Sequence, residues 1–431
     1  MEVIGIIMFL VIFILILFGY PVALTLAGVA TIFGLIFVPD FLDLLPLRIM
    51  GVMQNYVLIA VPLFIFMGLM LEKSGLAESL LETMAKLFGK VRGGLAVSVV
   101  IVGALLAAST GIVGATVITM GLISLPTMLK QNYSPQLATG VIASSGTLGQ
   151  IIPPSIVLIL LGSVLNVSVG DMFSAALLPG LLLVGIYIAY ILIIAKLYPE
   201  IAPQPEVDEN EVRDMKLVWK VMKAFLMPLL LILTVLGSIF TGIASPTEAA
   251  AVGALGAVVL AVVNNKFKWS DVKDVAKNTT HLTSMVFLIL LGATTFALVF
   301  KGLGGDDYLT HLITTGNLSP MAFLLLVMLI VFIAGFFIDF IEIIFIIVPV
   351  VAPIFIEMKM DLVWIGILLA LNLQTSFLTP PFGFALFYLK GVAPPEIKTE
   401  QIYRGIIPFL VLQILVLLLV LLWPEVIYLL G

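Results

Sequence analysis

The chain is a succession of apolar runs, each approaching or exceeding the length needed to cross the roughly 30 Å core of a bilayer. They fall at about 3–18, 22–38, 56–72, 94–111, 112–129, 137–166, 171–196, 217–240, 246–263, 281–300, 320–336, 338–356, 361–391 and 402–424. One stretch is rich in prolines and acids: Leu197 to Lys216, with Pro199, Pro203, Pro205 and the acids Glu200, Glu206, Asp208, Glu209, Glu211 and Asp214. It reads as an aqueous linker. The chain therefore divides into a first half, 1–198, a linker, 199–216, and a second half, 217–431. Between 56–72 and 94–111 the pattern turns amphipathic. Leu76, Leu80, Met84, Leu87 and Val91 form one helical stripe, and Glu78, Glu82, Lys86 and Lys90 the opposite ladder. That spacing predicts a helix lying along the membrane interface. Asp306–Gly316 holds the corresponding place in the second half, and the two read as braces around a moving core.

Two of the apolar runs contain segments that cannot continue as helix. Ser144-Ser145-Gly146-Thr147-Leu148-Gly149-Gln150-Ile151-Ile152-Pro153-Pro154 interrupts one. Asn372-Leu373-Gln374-Thr375-Ser376-Phe377-Leu378-Thr379-Pro380-Pro381 interrupts the other. The Pro pairs lie 227 positions apart, as do Pro126 and Pro353, while Pro21/Pro246 and Pro179/Pro408 depart from that offset by two. Such small drift predicts an internal repeat. Unwound backbone at membrane depth is tolerated only where protein buries it or a wet cavity meets it. A matched pair of broken helices is the best sequence pointer to a transporter's binding site.

Runs 94–111 and 112–129 read as a re-entrant hairpin with its tip at Ser109-Thr110-Gly111, and 320–336 with 338–356 as a second. Each half then makes an odd number of crossings, which inverts the second half. With the N-terminus outside, every Lys and Arg except Arg48, Lys301 and Lys359 falls in the cytoplasm. The positive-inside rule favours that orientation. The predicted fold is an all-α polytopic membrane protein of two inverted-topology repeats, each with a re-entrant hairpin and a Pro-Pro-broken helix.

Composition agrees: 62% of the 431 residues are hydrophobic and 10% charged, against roughly a quarter charged in a soluble domain. A net charge of −5 and the lack of any basic patch argue against nucleic-acid binding. Zero cysteines exclude disulfides, thiolate metal sites and cysteine nucleophiles. Only His281 and His311 are present and no HExxH occurs, so a zinc hydrolase is disfavoured. Met1-Glu2 runs straight into an apolar segment without a basic leader, which reads as a retained helix.

The candidate chemistry sits at the tips and breaks. Ser109, Thr110 and Gly111 at the first tip, with Ser144, Ser145, Gly146 and Thr147 in the first break, offer hydroxyls and freed carbonyls. These are the oxygen ligands a sodium ion needs, and half-helix N-termini beside them attract an anion. In the second half, Asp339 and Glu342 stand at membrane depth, where a carboxylate costs roughly 2.5–3.5 kcal/mol and is a functional hypothesis by default. Asp339 is the stronger candidate, as a direct cation ligand or a member of a proton relay; Glu342 is either the same or a cap of the hairpin. Asn372, Gln374, Thr375, Ser376 and Thr379 supply the second break's oxygens. No Arg or Lys falls in either break or tip, and Lys390 reads as a snorkelling residue. Trp269, Trp364 and Trp423 read as interface anchors.

Arm helix, hairpin and Pro-Pro-broken helix, repeated with inverted topology, resemble the ion-transporter superfamily of elevator-type secondary carriers. Gly-Tyr-Pro-Val-Ala at 19–23, Ala-Ser-Thr-Gly-Ile-Val-Gly-Ala-Thr-Val at 108–117, the Ser144–Ser155 motif and Leu-Thr-Pro-Pro-Phe-Gly at 378–383 are similar to the large membrane subunit (DctM type) of TRAP transporters. The stretch from Gly335 to Pro353 resembles the branch labelled mannitol/chloroaromatic permeases. The resemblance spans essentially the whole chain. It implies an elevator-type scaffold and transport core, with sodium ions as coupling ions and no other cofactor. It also implies uptake of a small organic anion, a carboxylate or sulfonate, across a bacterial or archaeal inner membrane. The partners implied are a small membrane subunit (DctQ type) and a periplasmic substrate-binding protein. One departure stands out: the second break lacks the glycine-rich character of the first. Competing readings are a stand-alone sodium/dicarboxylate-type symporter of the same superfamily and, from another class, an intramembrane enzyme using Asp339 with Glu342.

Overall fold

Serine–proline pairs start several of the helices, for a local reason. Ser134 accepts the Leu137 N–H at 3.2 Å, and Pro135 takes the first helical position, where no N–H is needed. Ser319-Pro320 repeats the device, with the Ala322 N–H at 3.2 Å from the hydroxyl. At Ser245-Pro246 the Glu248 carboxylate also accepts the Ser245 N–H at 2.8 Å, closing a capping box.

The computed structural model describes residues 2–88, 91–204, 215–316 and 318–429, and no strand occurs among them. Among the described residues six helices are long and apolar enough to cross a membrane: Tyr56–Lys73, Val113–Lys130, Val169–Leu197, Pro246–Val263, Trp269–Gly302 and Thr399–Leu422. Shorter apolar helices, among them Val22–Phe37, Gly94–Thr110, Ile156–Leu165, Pro320–Ala334 and Leu362–Leu378, fill the space between. The outer surface is apolar: Leu24 is 63% exposed, Leu255 69% and Leu329 55%. Soluble monomers rarely show such continuous apolar surface, and a bilayer removes it from water. The chain is an all-α, multi-pass membrane protein.

Two expected boundaries differ. The run at 281–300 is the apolar end of a 34-residue helix that begins at Trp269. Its first turns carry Asp271, Lys273, Asp274 and Lys277, which hydropathy does not register but a helix accommodates. Short helices at Pro39–Leu42 and Leu45–Met53, outside every apolar run, cover the approach to Tyr56. The amphipathic helix is present as Leu76–Leu87, with Leu80 and Met84 buried as the stripe predicts, but Val91 lies past its end and is exposed; Lys90 lies outside the described residues. Its counterpart is the helix Gly305–Thr315.

The helices sort into two packed groups. In one, Val22–Phe37 packs on Trp269–Gly302, and Ala60–Lys73 on Pro246–Val263. In the other, Gly94–Thr110 and Val113–Lys130 pack on Pro135–Thr147, while Pro320–Ala334 packs on Leu362–Leu378. Thr399–Leu422 joins this second group by crossing Pro135–Thr147, where a side chain at Gly405 would strike the Gln136 carbonyl. Small residues at crossings let helix backbones approach closely, a common device in membrane bundles.

Candidate ion and substrate site at the two helix breaks

Each hairpin clasps the break of its own half. The first turns at Gly111, whose φ of +61° is left-handed and suits glycine, between Gly94–Thr110 and Val113–Lys130. The Pro135–Thr147 helix runs into its crook, passes through a 3₁₀ turn at Leu148–Gln150, and restarts as Ile156–Leu165. A Cβ added at Gly149 would lie 2.6 Å from the Ala107 carbonyl oxygen, and one at Gly103 would lie 2.7 Å from Ser145 Oγ. Glycine is what lets break and hairpin touch. At Gly111 an added Cβ would meet the Ile156 nitrogen at 3.1 Å, so the tip abuts the N-terminus of the restarted helix.

The second half repeats the arrangement with different side chains. Pro320–Ala334 turns through 335–338 into Phe340–Ile346, which bends by 50° into Val348–Glu357. Pro349 removes a helical N–H at that bend. Leu362–Leu378 ends at Thr379, and Phe384–Val392 follows. A side chain at Gly335 would strike Ser376 Oγ. Phe340 packs on Phe377 with centroids 6.2 Å apart, and Phe337 on Phe382 at 5.5 Å. Both proline pairs, Pro153-Pro154 and Pro380-Pro381, are cis.

The predicted first-site residues are buried, but Ser109 and Thr110 pack against Gly68, and Ser144–Thr147 form the last helical turn of Pro135–Thr147 instead of unwound backbone, the interruption itself lying at 148–155. Ser144, Ser145 and Thr147 are fully buried, and Ser109 and Thr110 nearly so. Their hydroxyls donate along their own helices: Ser109 to the Leu106 carbonyl at 2.7 Å, Ser144 to Val141 at 3.1 Å, Ser145 to Ile142 at 3.2 Å and Thr147 to Ser144 at 2.9 Å. The Thr110 and Thr116 hydroxyls lie 2.8 Å apart. A hydroxyl that has given its proton to a carbonyl still has lone pairs to offer a cation.

The second-site residues divide. Gln374, Thr375 and Ser376 are buried in the last turns of the Leu362–Leu378 helix, which continues through the segment expected to break and stops only at Thr379; Thr375 donates to Leu371 at 2.7 Å and Ser376 to Leu373 at 2.8 Å. Thr379 donates to Thr375 at 2.8 Å. Asn372 is buried one turn earlier on the same helix. Its amide donates to the Met328 carbonyl at 2.7 Å, about 10 Å along the helix from the Gly335 turn. It pins the two helices one turn before Ser376. Asp339 caps the Phe340–Ile346 helix, its carboxylate accepting the Phe340 N–H at 2.7 Å. The Glu342 carboxylate accepts the Asp339 N–H at 3.0 Å and completes a capping box. Glu342 thus takes the capping role. Asp339 also borders a cavity of about 60 Å³ shared with Ile112, Ile156 and, from the Trp269–Gly302 helix, Leu282, Met285 and Val286, so it faces the first hairpin tip.

The breaks meet each other. Gln374 Nε2 donates to Thr147 Oγ1 at 3.5 Å, and these two residues stand 227 positions apart, the offset of the proline pairs. Farther out, Tyr187 OH lies 3.4 Å from Gln413 Oε1. One residue that sequence reasoning passed over stands out here. Gln150 in the first break is fully buried, and both of its amide atoms lack a hydrogen-bond partner, as does Gln374 Oε1. The available signal was an amide set directly before Ile-Ile-Pro-Pro. Among the described residues no group of three His, Cys, Asp or Glu side chains gathers.

These features define a multi-helix membrane protein with a clasped, polar break in each half. Its sequence matches the profile of the family described as the tripartite ATP-independent periplasmic transporter, DctM component, over residues 9–426, and the chain belongs to that family. It is 32% identical over 407 residues, 94% of this chain and 92% of the relative, to the C4-dicarboxylate TRAP transporter large permease protein DctM of Pseudomonas aeruginosa. It is 29% identical to the sialic acid TRAP transporter large permease protein SiaM of Vibrio cholerae, covering 94% of this chain and 93% of that one. These relatives are named as permeases, not enzymes. A solved structure, the YdaH transporter of Alcanivorax borkumensis, described as having an unusual topology, has a similar fold, with a TM-score of 0.65 at 14% identity and 95% and 98% of the two chains covered.

Proposed function

We propose that this chain is the large permease subunit of a sodium-coupled, binding-protein-dependent secondary transporter that imports a small organic anion, a carboxylate or sulfonate. The observation that carries the reading is the meeting of the two breaks at Thr147 and Gln374, each break clasped by a polar or acidic hairpin tip. Sodium sits among Ser109, Thr110 and the Ser144–Thr147 break in one half. In the other it sits among Asp339, Gln374, Thr375, Ser376 and Thr379. The unpaired Gln150 amide and Gln374 Oε1 support a ligand between the breaks, because a buried polar group left unsatisfied costs about 1–3 kcal/mol. Sodium also makes the site electropositive for an anion, so each ligand strengthens the other's binding.

In this reading the halves 1–198 and 217–431 are inverted repeats joined by a cytoplasmic linker in the inner membrane. The hairpins, broken helices, Val169–Leu197 and Thr399–Leu422 form the body that moves against the frame. A small membrane subunit and a periplasmic binding protein complete the transporter. The substrates in the two relatives' names, C4-dicarboxylates and sialic acid, both carry carboxylates, which supports the anion class. The test is uptake into proteoliposomes under an imposed sodium gradient, with and without the binding protein, across succinate, N-acetylneuraminate and isethionate. Accumulation that needs both sodium and the binding protein is expected. Equal accumulation when potassium replaces sodium would overturn the coupling, and uptake independent of the binding protein would favour a stand-alone symporter.

A further inference from the structure

We infer that a second anion-binding site lies away from the breaks, in a cavity of about 360 Å³ at the seam between the two packed groups of helices. It rests on the proposed function for its direction of use. Arg48 on the Leu45–Met53 helix and Lys301 near the end of Trp269–Gly302 supply its positive charge. Both side chains are exposed, and among the described residues neither makes an ion pair. Asp306 borders the cavity close enough to Lys301 to feel its charge, which leaves the lining one positive charge in excess. Asn55, Ser163 and Thr294 add neutral donors, and Asn55 Nδ2 already holds Ser163 Oγ at 3.0 Å across the seam.

The volume suits a molecule of drug-fragment size or smaller, near the lower end of ordinary ligand pockets. Two cations with neutral donors around them fit a carboxylate or sulfonate head group, which arginine engages bidentately. The walls come from both groups of helices: Arg48, Asn55 and Lys301 from the frame, Ser163 and Phe345 from the restarted first broken helix and the second hairpin. Arg48 and Lys301 are two of the three basic residues that the charge distribution leaves on the outer side. The cavity is therefore a capture site, where an organic anion released outside is held against the moving body before it reaches the breaks.

The absence of cysteine makes the test direct. Ser163→Cys in the full-length protein gives a single thiol in the cavity, and the rate of its modification by an anionic methanethiosulfonate reports occupancy without any transport. Succinate, N-acetylneuraminate or isethionate at millimolar concentration should slow that rate at least fivefold. Arg48→Gln or Lys301→Gln should abolish the protection, and Arg48→Lys should retain most of it. In uptake, each neutral variant should raise the half-saturating anion concentration about tenfold, as expected for one lost charge-assisted hydrogen bond, with sodium half-saturation unchanged. Lys359→Gln, which removes the third outer cation away from the cavity, should change neither reading. No protection by any of the three anions overturns the site. So does protection that survives both neutral variants, or protection equalled by phosphatidylglycerol in phosphatidylcholine vesicles, which would assign the cavity to a lipid head group. Protection without sodium-driven uptake would keep the site and fail the proposed function.

Discussion

A serine in a helix has one proton to give and two lone pairs to keep. Ser109 and Ser145 both give the proton to a carbonyl one turn back, so alanine at either position removes a possible cation ligand and leaves the helix able to form. Ser145→Ala and Ser109→Ala are therefore expected to raise the sodium concentration for half-maximal uptake about tenfold with normal expression. An unchanged sodium dependence in both would remove the first site. Asp339 poses a sharper question, because its carboxylate already caps a helix. Asparagine caps as well as aspartate. Asp339→Asn therefore keeps the helix start and deletes only the charge, so weakened sodium dependence in that variant separates ligation from capping. Full sodium-coupled uptake would leave Asp339 a cap alone. Gln150 gives the converse case. Replacing an unsatisfied buried amide by an apolar side chain of similar size is neutral or stabilising when the amide has no ligand role. Gln150→Leu is expected to keep or raise the thermal midpoint while losing uptake; a stable variant with full uptake would show that the amide serves no ligand.

At the scale of elements, the two helix groups are pinned at two places. Asn55 bonds Ser163 at 3.0 Å, and Thr119 on the second arm of the first hairpin donates to the Glu72 carboxylate at 2.5 Å. Any sliding of one group on the other breaks both bonds. Thr119→Val keeps the shape and deletes the donor, at a cost of about 1.5–3 kcal/mol to the conformation described here. Modification of Ser163→Cys from outside should then slow severalfold as that conformation loses population, and an unchanged rate would show that the Glu72 contact does not hold the seam. The breaks, hairpins and arm were legible in the sequence because each is local: proline pairs, polar tips and a stripe of leucines are written in consecutive residues. The capping box was equally local, spelled Asp339 to Glu342, though the charge drew attention before the spacing did. What stayed hidden depends on distant parts of the chain. Asn372 spends its amide on Met328, and Arg48 and Lys301 share a cavity, only because helices far apart in sequence cross there.

For the whole molecule, the distribution of charge does two jobs at once. In the proposed orientation nearly all Lys and Arg lie on one side, which makes the few cations on the other side conspicuous. Of those three, two border the same cavity, where they meet an incoming anion with little competition from the rest of the outer surface. The capture site and the orientation therefore stand together, since an inverted chain would present that cavity to the cytoplasm. Single cysteines can decide it. Glu200 is exposed in the linker and Asp307 is exposed on the Gly305–Thr315 helix. A membrane-impermeant maleimide applied to intact cells should label Asp307→Cys and spare Glu200→Cys until the membrane is permeabilised. The reverse pattern would invert the topology, turn the Arg48–Lys301 cavity inward, and make it a release site instead of a capture site.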